Sequence, residues 1–199
     1  MKAWLAILIA CIAGFLLQES ASPLLIEQLA LWPLHDYRSL PGFEPWQLVT
    51  YAFLHGDMVH LFFNMFALYM FGQAIEELMG SRRFIVYYLV CVVTAALTQL
   101  AVQKYMGTVR PTVGASGGVF GLLLAYGMAF PRNKLMLIFP PIPMPAWLFV
   151  TLYGLLELYL GFSSRDSNVA HFAHLGGMAG GLVLLLYWRA QWRRRSRYF

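Results

Sequence analysis

Polar side chains able to do nucleophilic and acid–base chemistry are embedded in strongly apolar parts of this sequence. They fall in three separate stretches, which hold His60 with Asn64, then Ser116, then His171 with His174. A polar side chain is costly in a stretch that spans a membrane, so each one needs a functional or structural reason. Serine beside histidine is an arrangement for nucleophilic catalysis, in which the imidazole accepts the hydroxyl proton. These residue types therefore indicate a hydrolytic site built from three distant parts of the chain.

Ser116 lies within a glycine-rich run, Gly114-Ala115-Ser116-Gly117-Gly118, that fits the G-x-S-x-G pattern of a nucleophile elbow. The pattern is weak by itself, because apolar chains are rich in glycine and serine. The usual elbow also needs a strand before the serine, and no strand signal precedes Ser116. We expect the glycines to serve a helix start instead, with Ser116 as the first helical residue. The free N–H groups of a helix N-terminus favour a developing oxyanion.

Small residues recur every four positions in the stretch that contains His174, as in Gly177 and Gly181, and again just after Ser116. This spacing permits two helices to approach closely. Helices packed this tightly can bring Ser116 Oγ within hydrogen-bond reach of a His174 nitrogen. Ordinary close packing of glycine-rich helices is the alternative explanation of the same spacing.

For several other residues with reactive or polar side chains, a structural role is as good an explanation as a catalytic one, or no role is assigned. His55 is either a loop or supporting contact or a part of the site, and His171 is expected to be supporting or interfacial. Glu157 lies in an apolar stretch, and its role is left unassigned. Cys11 and Cys91 are interpreted as two free cysteines, and the sequence has no zinc-type cysteine cluster. It also lacks a His-Glu-x-x-His motif, which disfavours a membrane metalloprotease.

Hydropathy predicts an all-α, polytopic membrane protein with a bundle of six transmembrane helices. Of the 199 residues, 60% are hydrophobic and 12% are charged, and the mean hydropathy is +0.62. A soluble domain of this size normally carries about twice that charged fraction. The chain is long enough for six spans of about 20 residues with short loops. We predict the spans at residues 4–20, 58–79, 83–104, 116–130, 146–162 and 170–188.

The distribution of positive residues predicts that both termini face the cytoplasm, an N-in/C-in topology. With this orientation, ten of the 14 lysines and arginines lie inside and four lie outside. The net charge of +5 does not indicate nucleic-acid binding, because the arginines crowd behind the last apolar stretch, where they can face anionic lipid. Inside are Lys2, Arg82, Arg83, Arg132, Lys134 and the five arginines of residues 189–197; outside are Arg38, Lys104, Arg110 and Arg165.

The chain is predicted to form one membrane domain, residues 1–199, with a core of about 40–188 and no soluble domain. The first apolar stretch resembles a signal peptide, and its cleavage is the alternative. Because the chain stays mostly apolar through Leu31, we predict that this stretch is a retained helix. The following loop, about residues 21–57, is too apolar for a plain solvated linker, so we expect it to be partly buried at the outer membrane face.

Taken together, these motifs resemble those of the rhomboid family of intramembrane serine proteases. The resemblance rests on His60-Leu61-Phe62-Phe63-Asn64, on Gly114-Ala115-Ser116-Gly117 and on Ala173-His174-Leu175-Gly176-Gly177. Each motif is weak alone, but their order, their separate spans and the long first loop make the combination highly specific. The resemblance covers the chain from about residue 40 to 188.

The resemblance implies a six-helix core and a Ser–His dyad without an aspartate. By position, Ser116 is the nucleophile and His174 is the general base. The oxyanion hole is formed by His60, Asn64 and the Ser116 backbone N–H. Supporting roles fall to Gly114, Gly117, His55 and His171.

The resemblance also implies a function: a serine endopeptidase that cleaves transmembrane-helix substrates near the outer membrane face, without a metal or other cofactor. Its partners are then transmembrane proteins and the lipid bilayer, with no nucleic acid. The compact chain indicates a bacterial inner membrane. A catalytically inactive rhomboid-like protein that binds membrane proteins is the alternative. The chain departs from the family pattern in its first loop, where many members have Trp-Arg and this sequence has Trp46-Gln47.

Overall fold

Helices form most of the chain that the computed structural model describes, which is residues 1–21, 23–34, 41–136, 141–163 and 170–195. A 3₁₀ turn, Tyr51–Phe53, follows the third helix, and a π-helical turn, Leu68–Gly72, joins the fourth helix to the fifth. Arg38, Arg165 and Arg197, which enter the charge count above, lie outside the described residues. The helices are α1 (Ala3–Ala21), α2 (Leu24–Leu29), α3 (Gln47–Thr50), α4 (Met58–Ala67), α5 (Gln73–Met79), α6 (Ser81–Met106), α7 (Ser116–Ala129), α8 (Ala146–Ser163) and α9 (His171–Arg195).

Two short strands between α7 and α8 depart from the all-helical prediction. Strand β1 (Lys134–Met136) pairs antiparallel with β2 (Pro143–Pro145), and Leu135 lies opposite Met144. A three-residue strand is too short to show the alternation of apolar and polar residues that identifies strands in a sequence. Proline is tolerated at such an edge, where its missing N–H removes no ladder bond.

Four helices within the described residues are long and apolar enough to cross a membrane, as judged by length and composition. They correspond to the first, second, third and fifth predicted spans. The fourth predicted span corresponds to α7, which has 14 residues, fewer than the about 20 that a bilayer requires. The sixth corresponds to α9, whose first half contains two histidines and four glycines. The six-span topology therefore stays a prediction. The four helices are Ala3–Ser20, Met58–Met79, Ser81–Met106 and Ala146–Ser163.

Large apolar side chains cover the outer faces of the long helices. Phe62 on α4 is 59% exposed, Phe162 on α8 is 67% exposed, and Val183 on α9 is 68% exposed. Soluble monomers rarely expose contiguous apolar surface on this scale. The surface is therefore suited to contact with lipid, in agreement with the predicted membrane class.

Glycines bring α6, α7 and α9 together, and these three helices pack against one another. A Cβ atom on Gly177 would collide with the carbonyl group of Gly117, and one on Gly121 would collide with Cys91. Tyr87 Oη on α6 donates a hydrogen bond of 2.7 Å to the Gly121 carbonyl. The four-residue spacing of small residues thus produces direct contact between helix backbones.

The N-terminus of α1 is capped by a carboxylate from another helix. Glu76 on α5 accepts hydrogen bonds from the backbone N–H groups of Ala3 at 2.9 Å and Trp4 at 2.8 Å. Ser81 Oγ donates to the same carboxylate at 2.6 Å. The first N–H groups of a helix have no partner within it, and a negative charge stabilises them. Glu76 thereby fastens α1, α5 and α6 together at one end of the molecule.

Gln47 anchors the first loop with its amide, at the position where the family pattern has an arginine. Its Oε1 accepts hydrogen bonds from the backbone N–H groups of Trp32 at 3.1 Å and Glu44 at 3.2 Å. Its Nε2 donates to the carbonyls of Gln28 at 3.3 Å and Gly42 at 3.5 Å. An amide both donates and accepts, whereas a guanidinium only donates. The loop is therefore anchored here by a different pattern of hydrogen bonds.

Replacing Gln47 with leucine is expected to lower the free energy of unfolding by about 2–3 kcal/mol. The change leaves the buried Trp32 N–H without its acceptor, and a buried unsatisfied group costs roughly 1–3 kcal/mol before the other lost bonds are counted. Denaturant titration of the detergent-solubilised protein measures the difference. Gln191→Leu is the matched control, because Gln191 is exposed and its side-chain amide donates to Tyr187 Oη on its own helix. A Gln47→Leu variant as stable as this control would contradict the anchoring role.

Candidate active site

Ser116 and His174 meet where their two helices begin. Ser116 is the first residue of α7, and His174 lies in the first turn of α9. The distance from Ser116 Oγ to His174 Nε2 is 2.8 Å. This is a hydrogen-bond distance, across which a hydroxyl can pass its proton to an imidazole. The backbone contact of Gly117 with Gly177 lies just beyond both side chains and holds the two helices at this separation.

The segment that leads into α7 is held in place by the first loop. Leu31 and Thr112 exchange two backbone hydrogen bonds, of 3.0 and 2.9 Å, and the Gly114 N–H donates to the Tyr51 carbonyl at 3.0 Å. Gly114 has a φ of +129°, a conformation that favours glycine. A Cβ atom at Gly114 would also lie only 2.8 Å from Cε1 of the His60 ring. Gly114 therefore makes the turn into α7 and leaves room for the imidazole.

His60 lies in the first turn of α4, with its ring beside Ser116. Asp57 caps α4 by accepting a hydrogen bond of 2.8 Å from the His60 N–H. The Gly56 N–H donates to His60 Nδ1 at 3.3 Å, which places the proton of the neutral ring on Nε2. A Cβ atom built on Gly114 would lie 2.9 Å from His60 Nε2 and 3.7 Å from Ser116 Oγ. His60 thus offers an N–H donor close to the serine hydroxyl.

Asn64 lies one turn after His60, on the same face of α4. Its side chain is buried, and Nδ2 donates a hydrogen bond of 2.9 Å to the His60 carbonyl. The amide has a second N–H, which remains for another acceptor. Asn64 lines the same cavity as His60, Ser116 and His174. The structure therefore brings together the four residues that the resemblance assigns to catalysis.

A cavity of about 1780 Å³ opens beside these residues. One wall is formed by α4 and the π-helical turn, with Phe63, Phe66 and Met70, and another wall is formed by α8, with Phe149 and Tyr153. Small-molecule sites typically enclose about 300–1000 Å³. The volume and the aromatic walls suit a polypeptide segment better than a small ligand.

Phe120, which the sequence reasoning missed, holds the plane of the His174 ring. The two rings stack with their centroids 4.1 Å apart and an interplanar angle of 7°. Phe120 stacks in turn on Tyr153 of α8, at 5.3 Å. The sequence spacing could have indicated this role, because Phe120 lies four residues after Ser116 and therefore on the same face of α7. Stacking restricts the imidazole to the orientation in which Nε2 faces the serine.

Glu157, which had no assigned role, contacts His174 directly. Glu157 Oε2 lies 2.8 Å from His174 Nδ1 and also 2.8 Å from His171 Nδ1. All three side chains are buried. The resemblance implied a dyad, yet a carboxylate lies on the far side of the imidazole. The same three groups are also close enough together to hold a metal ion, with ligand atoms within 4.8 Å of one another.

His55 is fully buried against His60, and Gln18 of α1 holds its backbone. The His55 and His60 rings meet edge to face with centroids 5.2 Å apart. Gln18 bonds both the carbonyl of His55, at 2.7 Å, and its N–H, at 3.2 Å. Burial, helped by the nearby His60, lowers the pKa of His55 to about 4, so its ring is neutral near pH 7. In the described part of the chain neither ring nitrogen of His55 has a hydrogen-bond partner. His55 is therefore placed to support the His60 ring by packing against it.

Proteins of one family resemble the chain over most of its length. The chain is 29% identical over 178 residues to Rhomboid protease GluP of Bacillus subtilis, and the aligned segment covers 89% of this chain and 33% of that protein. It is 29% identical over 196 residues to Rhomboid protease GlpG of Klebsiella pneumoniae, which covers 96% of this chain and 64% of that protein. It is 31% identical over 138 residues to the mitochondrial Rhomboid protein 1 of Saccharomyces cerevisiae, which covers 68% of this chain and 40% of that protein. The chain thus spans 33–64% of the length of these relatives.

The family model for the Rhomboid domain matches residues 42–191, which contain the whole set of candidate site residues. The resemblance inferred from the motifs around His60, Ser116 and His174 is thereby confirmed. The family and the apolar helices together support a multi-pass integral membrane protein. The chain belongs to the rhomboid family.

Proposed function

We propose that the chain is an intramembrane serine endopeptidase that cleaves transmembrane-helix substrates near the outer membrane face, with Ser116 and His174 as its catalytic residues. The observation that carries the proposal is the 2.8 Å contact between Ser116 Oγ and His174 Nε2 beside a large cavity. A serine in an apolar helix usually bonds the backbone of its own helix, whereas Ser116 bonds an imidazole on another helix. Two of the relatives are named as rhomboid proteases.

Catalysis begins when Ser116 Oγ attacks the carbonyl carbon of the scissile peptide while its proton passes to His174 Nε2. The oxyanion that forms accepts hydrogen bonds from His60 Nε2, the Asn64 amide and the Ser116 backbone N–H. His174 then gives the proton to the leaving nitrogen as the C–N bond breaks, which leaves an acyl ester on Ser116. A water molecule, deprotonated by His174, attacks this ester, the bond between the acyl carbon and Ser116 Oγ breaks, and His174 returns the proton to Oγ as the second product leaves.

The substrate enters between α4 and α8, where the cavity is lined by apolar and aromatic side chains such as Phe66 and Phe149. The carbonyl groups of a transmembrane helix are bonded within that helix, because the bilayer offers no other donors. A peptide bond becomes accessible only where the helix unwinds. We therefore expect cleavage at sites near the outer face where the substrate helix is weak.

Both termini of this single membrane domain, residues 1–199, lie on the cytoplasmic side, and the host is a bacterial inner membrane. Lys2 lies 3.8 Å from Glu77 at the end of α5. Arg83, at the start of α6, lines a small cavity with Trp188 and Trp192 near the end of α9. Positive and aromatic residues thus collect at one end of the bundle, as at a cytoplasmic interface. His174 lies toward the other end of α9, which favours an active site that opens outward.

The test compares purified wild type and Ser116→Ala in liposomes that contain a reporter protein with one transmembrane helix. Cleavage is followed by gel, and covalent labelling by a fluorophosphonate probe is measured in parallel. Wild type is expected to cleave the reporter and to be labelled, and Ser116→Ala is expected to do neither. Ser163→Ala is the matched control, because the Ser163 hydroxyl is exposed and bonds the Tyr159 carbonyl of its own helix.

Cleavage by both wild type and Ser116→Ala would assign the reaction to another nucleophile or to a contaminant. Absence of both cleavage and labelling in wild type, across several reporters, would replace the protease with the inactive binding protein. Loss of activity in Ser163→Ala would show that the assay responds to any change of a helical serine.

A further inference from the structure

Glu157 is a buried carboxylate in an otherwise apolar helix. It is 5% exposed, and the sequence of α8, AWLFVTLYGLLELYLGFS, contains no other charged residue. A carboxylate in a membrane-spanning helix is costly unless it is paired, and such residues commonly mark functional sites. Glu157 has two partners, because its Oε2 lies 2.8 Å from Nδ1 of both His171 and His174. Glu157 is therefore paired directly with His174, the histidine that contacts Ser116.

The hydrogen bonds around Glu157 determine where the ring protons lie. An ionised carboxylate only accepts hydrogen bonds, so each histidine Nδ1 that bonds it must carry a proton. A neutral His174 with its proton on Nδ1 has a free lone pair on Nε2. Nε2 is the atom 2.8 Å from Ser116 Oγ. With Glu157 ionised, His174 adopts the one neutral tautomer that can accept the serine proton.

We propose that Glu157 is a positioning residue that holds His174 in this tautomer and stabilises the imidazolium that forms when Ser116 attacks. The inference rests on the proposed protease function and adds a third member, contributed by α8, to the expected Ser–His pair. The arrangement matches the role that a buried aspartate plays behind the histidine of soluble serine proteases. His171 Nδ1 lies 2.8 Å from the same oxygen and gives the carboxylate a second partner beside the imidazole of His174.

The distances distinguish hydrogen bonding from metal binding at these three groups. A zinc ion lies about 2.0–2.1 Å from nitrogen and oxygen ligands, and tetrahedral ligands at that radius are roughly 3.3 Å apart. Both histidine nitrogens lie 2.8 Å from Glu157 Oε2, the length of a charge-assisted N–H···O bond. A metal on His174 Nδ1 would also move the ring proton to Nε2 and abolish its role as a base. The hydrogen-bonded arrangement is therefore the one that agrees with the Ser116 contact.

The experiment reads the tautomer of His174 directly, by ¹⁵N NMR of histidine-labelled full-length protein in detergent, with His174→Ala used to assign the signal. Wild type is expected to show a protonated Nδ1. In Glu157→Gln the amide NH₂ can donate to Nδ1, and the proton is expected to shift to Nε2. In the cleavage assay Glu157→Gln is expected to lower kcat by about 10³–10⁴-fold, as an amide does behind other catalytic histidines, with KM unchanged. Glu157→Asp, which keeps the carboxylate, is expected to recover at least about tenfold of the lost kcat and to keep the Nδ1 proton.

Glu77→Gln is the matched control, because Glu77 is exposed and pairs with Lys2 at the far end of the bundle. It is expected to leave the tautomer and kcat unchanged. Retention of the Nδ1 proton and of kcat in Glu157→Gln would overturn the proposal while leaving the protease intact. A wild type that cleaves nothing would overturn the protease, and the NMR spectrum would still decide whether Glu157 sets the tautomer. A wild-type Nδ1 proton that appears only after EDTA treatment would overturn the proposal in favour of a metal site.

Discussion

Replacing His174 with alanine is expected to lower kcat/KM by the same factor as replacing Ser116, about 10⁴–10⁶-fold. The double variant is expected to be no slower than either single variant. The two side chains act as one unit because Ser116 Oγ and His174 Nε2 are 2.8 Å apart. The serine is a weak nucleophile without the imidazole as base, and the imidazole has no hydroxyl to activate without the serine. Steady-state cleavage of the transmembrane reporter by the three variants measures the effect.

The double variant decides between a coupled pair and two independent contributions. If the two side chains acted separately, their effects would multiply, and the double variant would fall far below both single variants. Thermal unfolding in the same detergent controls for loss of structure. A double variant much slower than Ser116→Ala, with unchanged stability, would contradict the catalytic pair.

Replacing Gly177 with alanine is expected to damage both stability and catalysis. The added Cβ would collide with the carbonyl group of Gly117, and a backbone atom in a packed helix cannot move aside cheaply. Overpacking of this kind typically costs about 1–3 kcal/mol. Forcing α9 away from α7 also separates His174 from Ser116, and a displacement of about 1 Å lowers rates by roughly 10²-fold. Denaturant titration measures the first effect and kcat of the surviving folded protein the second.

Gly154→Ala is the matched control for this substitution. Gly154 also lies within a helix, but a Cβ there would be 3.5 Å from Met178 Cε, an ordinary van der Waals distance. The control is expected to be neutral or more stable by about 0.5–1 kcal/mol, because alanine is the better helix former. Equal behaviour of Gly177→Ala and Gly154→Ala would show that the contact between α7 and α9 does not hold the catalytic side chains together.

Much of the candidate site is visible in the sequence because its signals are local. His60 and Asn64 are one turn apart in one motif, Ser116 is flanked by glycines, and His174 is followed by small residues at helical spacing. These patterns predict both the residue types and the close approach of their helices. Hydropathy locates the long apolar helices, since a membrane span needs only length and composition to be recognised.

The features that the sequence did not predict depend on how helices are rotated and on bonds between distant segments. Hydropathy places Glu157 in a span but does not say which neighbour it faces, so its contact with His174 was not foreseen. The stacking of Phe120 depends on the side-chain rotamer as well as on the helix face. In the sequence, Gln47 indicates only that the arginine of the family pattern is absent. The structure shows that the Gln47 amide anchors the loop instead, through hydrogen bonds to the backbone of Trp32 and Gln28.

The contact between Gly117 and Gly177 also determines how the site responds to the bilayer. Gly117 is one residue after Ser116, and Gly177 is three residues after His174. The contact therefore acts as a pivot that lies very close to the reacting atoms. A membrane whose hydrocarbon core is thinner than the length of the apolar helices makes these helices tilt. Tilting about this pivot moves the far ends of α7 and α9 most and the distance between Ser116 Oγ and His174 Nε2 least. Lipid composition should therefore act on the entry of substrates rather than on the chemical step.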